Sequence, residues 1–188
     1  MITRTLSVLL FLGAFMFAST VVAQKRDHLT PQEVDLVKEA QLLDKRIDVF
    51  IKAADRRLFV LKGGTAATAP NAKQLKKDAE KWGELPTGSR AELVSDIARI
   101  LDEAITNIDD VSSRDERNPL IAKSLRKLAT AVNTIMADLK PMAVQAKSDA
   151  EIASFELLNE DAQSILEAAT KLPAEVENKK AKAKNNNN

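Results

Sequence analysis

The chain has no cysteine and no tyrosine, and only one histidine, one tryptophan and five glycines in 188 residues. Without thiols it has no disulfide framework, no thiolate metal site, no attached c-type haem and no cysteine nucleophile. An exported domain of this size can hold together by helix packing alone, so the lack is compatible with an oxidising compartment. A ferritin-like di-metal bundle needs an inward Glu from each of two helices and Glu-x-x-His from two others. With His28 as the single histidine, that site cannot be built. Few glycines, few β-branched runs and 4% aromatic residues argue against a sheet-rich fold. A surplus of one charge is lacking too. Lys and Arg number 28 against 27 Asp and Glu, without the basic field of a non-specific nucleic-acid binder.

Long apolar runs are also missing, except at the start. Residues 6–17 (LSVLLFLGAFMF) follow a short segment carrying Arg4, and residues 18–23 (ASTVVA) end in the small-residue pattern Val21-x-Ala23. This order predicts a secretory signal peptide over 1–23, cleaved after Ala23, and the run is short for a membrane span of about 20 residues. Retention of the leader as an anchor is the alternative. The address is then periplasmic or extracellular, and the rest divides into a helical domain over 24–173 and a tail over 174–188.

What the domain has in quantity is helical periodicity. Thr30-Pro31-Gln32-Glu33 is a capping box with proline at the first helical position. Apolar residues follow at spacings of three and four from Val34 through Val37, Ala40, Leu43, Ile47, Phe50, Ala54 and Leu58 to Leu61. This predicts one amphipathic helix of about 31 residues, roughly 46 Å long, ending at Gly63-Gly64. Residues 65–88 break the pattern, with a short helix predicted from Asn71 to Trp82 before Gly83, Pro86 and Gly88.

Ser89-Arg90-Ala91-Glu92 opens a second long helix, buried through Leu93, Ile97, Leu101, Ala104 and Ile108 and fading over 112–117. Asn118-Pro119 opens a third, with Leu125, Leu128, Val132, Ile135 and Leu139 inward. Pro141 predicts a break or kink within 140–149, and Ser148-Asp149-Ala150-Glu151 caps a fourth helix running to Pro173. The alternative is one long kinked helix through both segments. The fold expected is all-α: an antiparallel bundle of about four helices, with a partly irregular insertion between the first two.

No catalytic constellation emerges. His28 reads as an exposed polar residue. The acid pairs Asp109-Asp110 and Glu156, Glu160, Asp161 lie beside the apolar stripes and read as solvated faces. No nucleophile elbow or phosphate loop is present: Ser124 near Lys123 and Lys127 is adjacency on a helix, and Gly63-Gly64 lacks a following Gly-Lys-Ser/Thr. No cofactor or metal is expected. The candidate contact set is Lys73, Lys76, Lys77, Lys81 and Trp82, which could sit on an anionic surface, although Asp78 and Glu80 cut its charge. The bland reading has Leu75, Ala79 and Trp82 plugging the bundle end with the lysines in water. Lys179, Lys180, Lys182 and Lys184 give the tail a weak, salt-sensitive affinity for anionic surfaces; its composition otherwise reads as a disordered, solvating segment.

In residues 44–50 (DKRIDVF), 54–58 (ADRRL) and 100–110 (ILDEAITNIDD) the chain resembles a set of exported all-helical proteins of bacteria. The resemblance covers most of the mature region; it implies helices and export and no activity. The function expected is a non-catalytic envelope protein that scaffolds, self-associates or binds a protein partner. Leu36, Val49, Phe59 and Val60, outside the main stripe of the first helix, would widen its buried face or offer a partner surface. The alternative is a bundle holding an apolar small molecule or lipid, with Ala40, Ala54, Ala104, Ala162 and Ala169 leaving room. An enzyme comes third.

Overall fold

The computed structural model describes residues 26–65 and 79–173. The leader, the lysines at 73, 76 and 77 and the tail from 174 lie outside the described residues. Among the described residues all regular structure is helical. The long helices are α1 (Pro31–Glu39), α2 (Leu43–Leu61), α3 (Arg90–Arg114), α4 (Pro119–Val144) and α5 (Asp149–Thr170). Residues 79–82 add a helical turn before α3.

Four of the five long helices start on capping chemistry, and α2 begins after Leu42 without a side-chain cap. Thr30 and Ser89 each accept from the amide three residues on, while Glu33 and Glu92 reach back to the cap amide. Asn118 caps α4 through the Leu120 amide, with Pro119 at its first position. Ser148 caps α5 through the Glu151 amide, but the Glu151 carboxylate turns to the Lys147 amide and Arg90. At the end of α2, Gly63 takes φ +80°. Its amide and that of Gly64 close back on Val60 and Phe59, a left-handed cap that a Cβ would strain.

One boundary differs from the expectation. The single first helix is two: the chain leaves helical geometry at Ala40 (ψ 88°) and restarts at Leu43. Spacings of three and four continue across the join, so periodicity alone cannot mark it. Arg46 Nε compensates one orphan carbonyl by donating to Ala40 O at 3.1 Å. The reversal lets Glu33 on α1 reach Arg56 and Arg57 near the far end of α2. Between α4 and α5 the turn falls at 145–148, within the expected 140–149, and Pro141 precedes it without kinking the chain into one long helix. That proline sits in the last turn of α4, where few backbone bonds depend on it.

One core joins the helices. Ile47, Phe50, Ile97, Ile100, Leu101, Leu128, Ile135, Leu158 and Ile165 are almost wholly removed from solvent. The helix pairs in contact are α2–α3, α2–α4, α3–α5, α4–α5 and, more lightly, α1–α2 and α3–α4. Charged pairs give their directions. Lys123 and Lys127 meet Asp44 and Asp48, and Lys62 meets Asp138, so α2 and α4 run parallel. Arg46 meets Asn107 while Arg57 lies by Asp96, so α2 and α3 are antiparallel. Arg90 holds Glu151 near the starts of α3 and α5, which run parallel. Arg126 donates to Pro173 O, so α4 and α5 are antiparallel.

Candidate functional site

The most unusual chemistry of the described residues is a set of buried charges where the chain N-terminal to α1, α1 itself, α2, α3 and residues 82–84 converge. Glu33 and Arg57 are almost fully buried, and Arg56 and Asp96 nearly so. Arg57 grips Glu33 as a fork, Nη1 to Oε1 and Nη2 to Oε2, both at 2.8 Å. Arg56 Nη1 adds a bond of 2.6 Å to Oε1, and the Thr30 amide one of 2.9 Å to Oε2. Two carboxylate oxygens offer about four acceptor positions, and four donors occupy them. The guanidiniums are engaged in turn: Arg57 donates to the carbonyls of Ala53 and His28, Arg56 to those of Gly83 and Glu84.

Burial pushes the Glu33 pKa up, but the Arg57 bonds and charge, the Thr30 amide and Arg56 together outweigh it and hold the carboxyl below its ordinary value. At Asp96 the balance tips the other way. Burial raises its pKa more than Arg26, Arg57 and Arg99 lower it, even though Arg26 bonds the carboxylate directly. Arg57 Nε, 3.7 Å from Asp96, is left without a hydrogen bond. The network thus ties five stretches of chain together and leaves no acceptor of Glu33 open to a ligand.

The sequence missed this cluster because each member looked local. Glu33 reads as a capping residue, and Arg56-Arg57 as surface charge. The available signal was register: Arg57 falls three or four residues from Ala53 and Ala54, on the buried stripe of α2. Of the contact set expected from sequence, Lys81 is exposed, while Trp82 is buried with the Arg56 guanidinium 5.9 Å from its ring centre. Trp82 therefore belongs to the interior. Gly83, at φ +71°, ends that helical turn and passes close to the Gln32 side chain.

His28 corrects another expectation. It is not an open surface residue: its side chain is 17% exposed and Nε2 lies 2.7 Å from Glu103 Oε2. Ser124 is buried without a hydrogen-bond partner, and Lys123 and Lys127 reach Asp44 and Asp48. Asp109 and Asp110 are exposed. Among the described residues no group of three or more His, Asp or Glu could hold a metal ion. No helix there is long and apolar enough to cross a membrane.

Acids do gather where α3 passes α5. Asp161 has its pKa pushed up to about 6, chiefly by burial and then by the charges of Asp102 and Glu160. Beside α3, Glu151 goes the other way, to about 2, held by Arg90 and the Lys147 amide. Of the alanines named from sequence, Ala40 and Ala169 are half-buried, while Ala54, Ala104 and Ala162 are buried in the core. Leu36 is likewise buried, while Val49, Phe59 and Val60 are half-buried. No protein-family model, no curated protein and no solved structure matches the chain.

Proposed function

We propose that the chain is an exported, non-catalytic scaffold or interaction module of the cell envelope, its helices forming a four-helix bundle of two stacked antiparallel hairpins, α2–α3 and α4–α5. The observation that carries the reading is the saturated Glu33. Its acceptor positions are filled by Thr30, Arg56 and Arg57, so the deepest polar chemistry of the described residues fixes architecture. The pattern of close helix pairs is consistent with such a bundle. The leader-like segment before Gln24 supports export.

The test is cell fractionation with mass measurement, followed by crosslinking in intact cells. The expected result is a chain beginning at Gln24 in the envelope or medium, crosslinked in fixed ratio to a protein partner or to itself. A full-length product retained in the cytosol overturns export. Turnover of a substrate by the purified chain overturns the non-catalytic reading.

A further inference from the structure

The break between α1 and α2 sits where local chemistry favours a helix. Ala40, Gln41 and Leu42 are among the strongest helix formers, and apolar spacings of three and four run straight across them. Side chains compensate for the missing turn: Gln41 Nε2 donates to Lys38 O at 3.0 Å and Arg46 Nε to Ala40 O at 3.1 Å. A continuous helix would instead give the carbonyls of Val37, Lys38, Glu39 and Ala40 the amides of Gln41, Leu42, Leu43 and Asp44. The bent form makes none of those backbone bonds.

Residues 26–39 form an arm whose seat holds the chain bent. Among the described residues α1 contacts no long helix but α2. Of the arm's side chains only Leu29 joins the buried core, with Val34 and Val37 packed against its edge. Its specific bonds are polar: Glu33 to Arg56 and Arg57, Arg26 to Asp96, and His28 to Glu103. Helices α2 to α5 therefore keep their common core whether or not the seated arm is their own. An arm that leaves its seat strands the Glu33 carboxylate and the buried Arg57 guanidinium, which the same set of partners satisfies in full. We infer that two copies of this chain exchange arms: residues 40–42 become helical, α1 and α2 fuse into one rod, and each copy's Glu33 fills the other's Arg56–Arg57 seat. Every contact of the seat is then made between copies, and no new surface has to be complementary; exchange of an identical element is a low-cost route to a dimer. The exchange is reciprocal, so it closes at two copies. This rests on the interaction-module reading and names both the partner and the segment that joins it.

Size exclusion with light scattering tests it, on the chain beginning at Gln24 refolded from urea at low and at high protein concentration. Monomer is expected from the dilute sample and a two-copy species from the concentrated one, persisting after dilution because release must first break the Glu33 seat. Leu42→Pro is expected to lose the two-copy species. Leu42 has φ −86°, close to what proline requires, and its amide makes no hydrogen bond in the bent form, whereas a proline inside the fused rod breaks it. Leu42→Ala keeps that amide and is expected to pair as the native chain does. Loss of pairing there marks exposed Leu42 itself as the contact and overturns the inference. Glu33→Ala refolded together with Arg57→Ala is expected to favour mixed pairs over either variant's own, since only a mixed pair contains an intact seat; random mixing overturns the exchange. If either of these variants fails to fold, the two substitutions at Leu42 decide alone. A native chain monomeric at every concentration overturns the inference, as do pairs that Leu42→Pro leaves undiminished. A monomer that still crosslinks to another envelope protein sinks this inference alone and leaves the proposed function standing.

Discussion

At the residue scale, Glu33 shows how a charge becomes tolerable in an apolar interior. Taking an ionised carboxylate out of water carries a penalty of several kcal/mol, offset only when charge and hydrogen bonds replace its hydration. Four donors do so here. Glu33→Ala leaves two buried guanidiniums facing a void, and the expected loss is about 3–5 kcal/mol by urea unfolding, with Trp82 emission shifting to the red as its surroundings loosen. Because the folded pKa of Glu33 lies below its ordinary value, its contribution is present above about pH 4.5 and is lost as pH falls through the folded pKa. Asp161 has the opposite sign. The folded chain keeps the proton up to about pH 6 while the unfolded chain releases it near 3.8, so stability falls as pH rises between those values. Asp161→Asn is expected to remove that slope and raise the melting temperature at pH 7; an unchanged pH profile would contradict the assignment.

At the element scale the caps govern where helices begin and glycine where one of them stops. Ser89→Ala is expected to lower stability by about 1 kcal/mol, measured by thermal melting, since the Glu92 amide loses its acceptor. Gly63→Ala should lower it by about 1–2 kcal/mol through the left-handed backbone alone, as an added Cβ there meets no neighbour. These boundaries were legible because Thr30-Pro31, Ser89, Asn118-Pro119, Ser148 and Gly63 each act on backbone groups within a few residues. The break after Glu39 was not. The break goes with Glu33 meeting Arg56 and Arg57 more than twenty positions away, a contact no local window contains. The candidate site was hidden for the same reason: a Trp82 folded inward was legible as one reading of the lysine segment, but Arg56 as its neighbour was not.

At the scale of the whole molecule, one continuous apolar core draws on all the long helices from α2 to α5. Ile100→Ala, at a site with no exposure, is expected to cost about 2–5 kcal/mol and to shift a single cooperative urea transition without splitting it. Charge is organised at this scale too, since a balanced total says nothing of which helix carries which sign. The link over residues 115–118 has its own consequence. It joins α3 to α4, which touch only lightly, whereas α2 with α3 and α4 with α5 pack as antiparallel neighbours. A protease cut there would sever almost nothing but the peptide itself. Fragments ending at Arg114 and beginning at Asn118 would each carry half of a greasy seam, and mixing them should restore the helical signal that neither half shows alone.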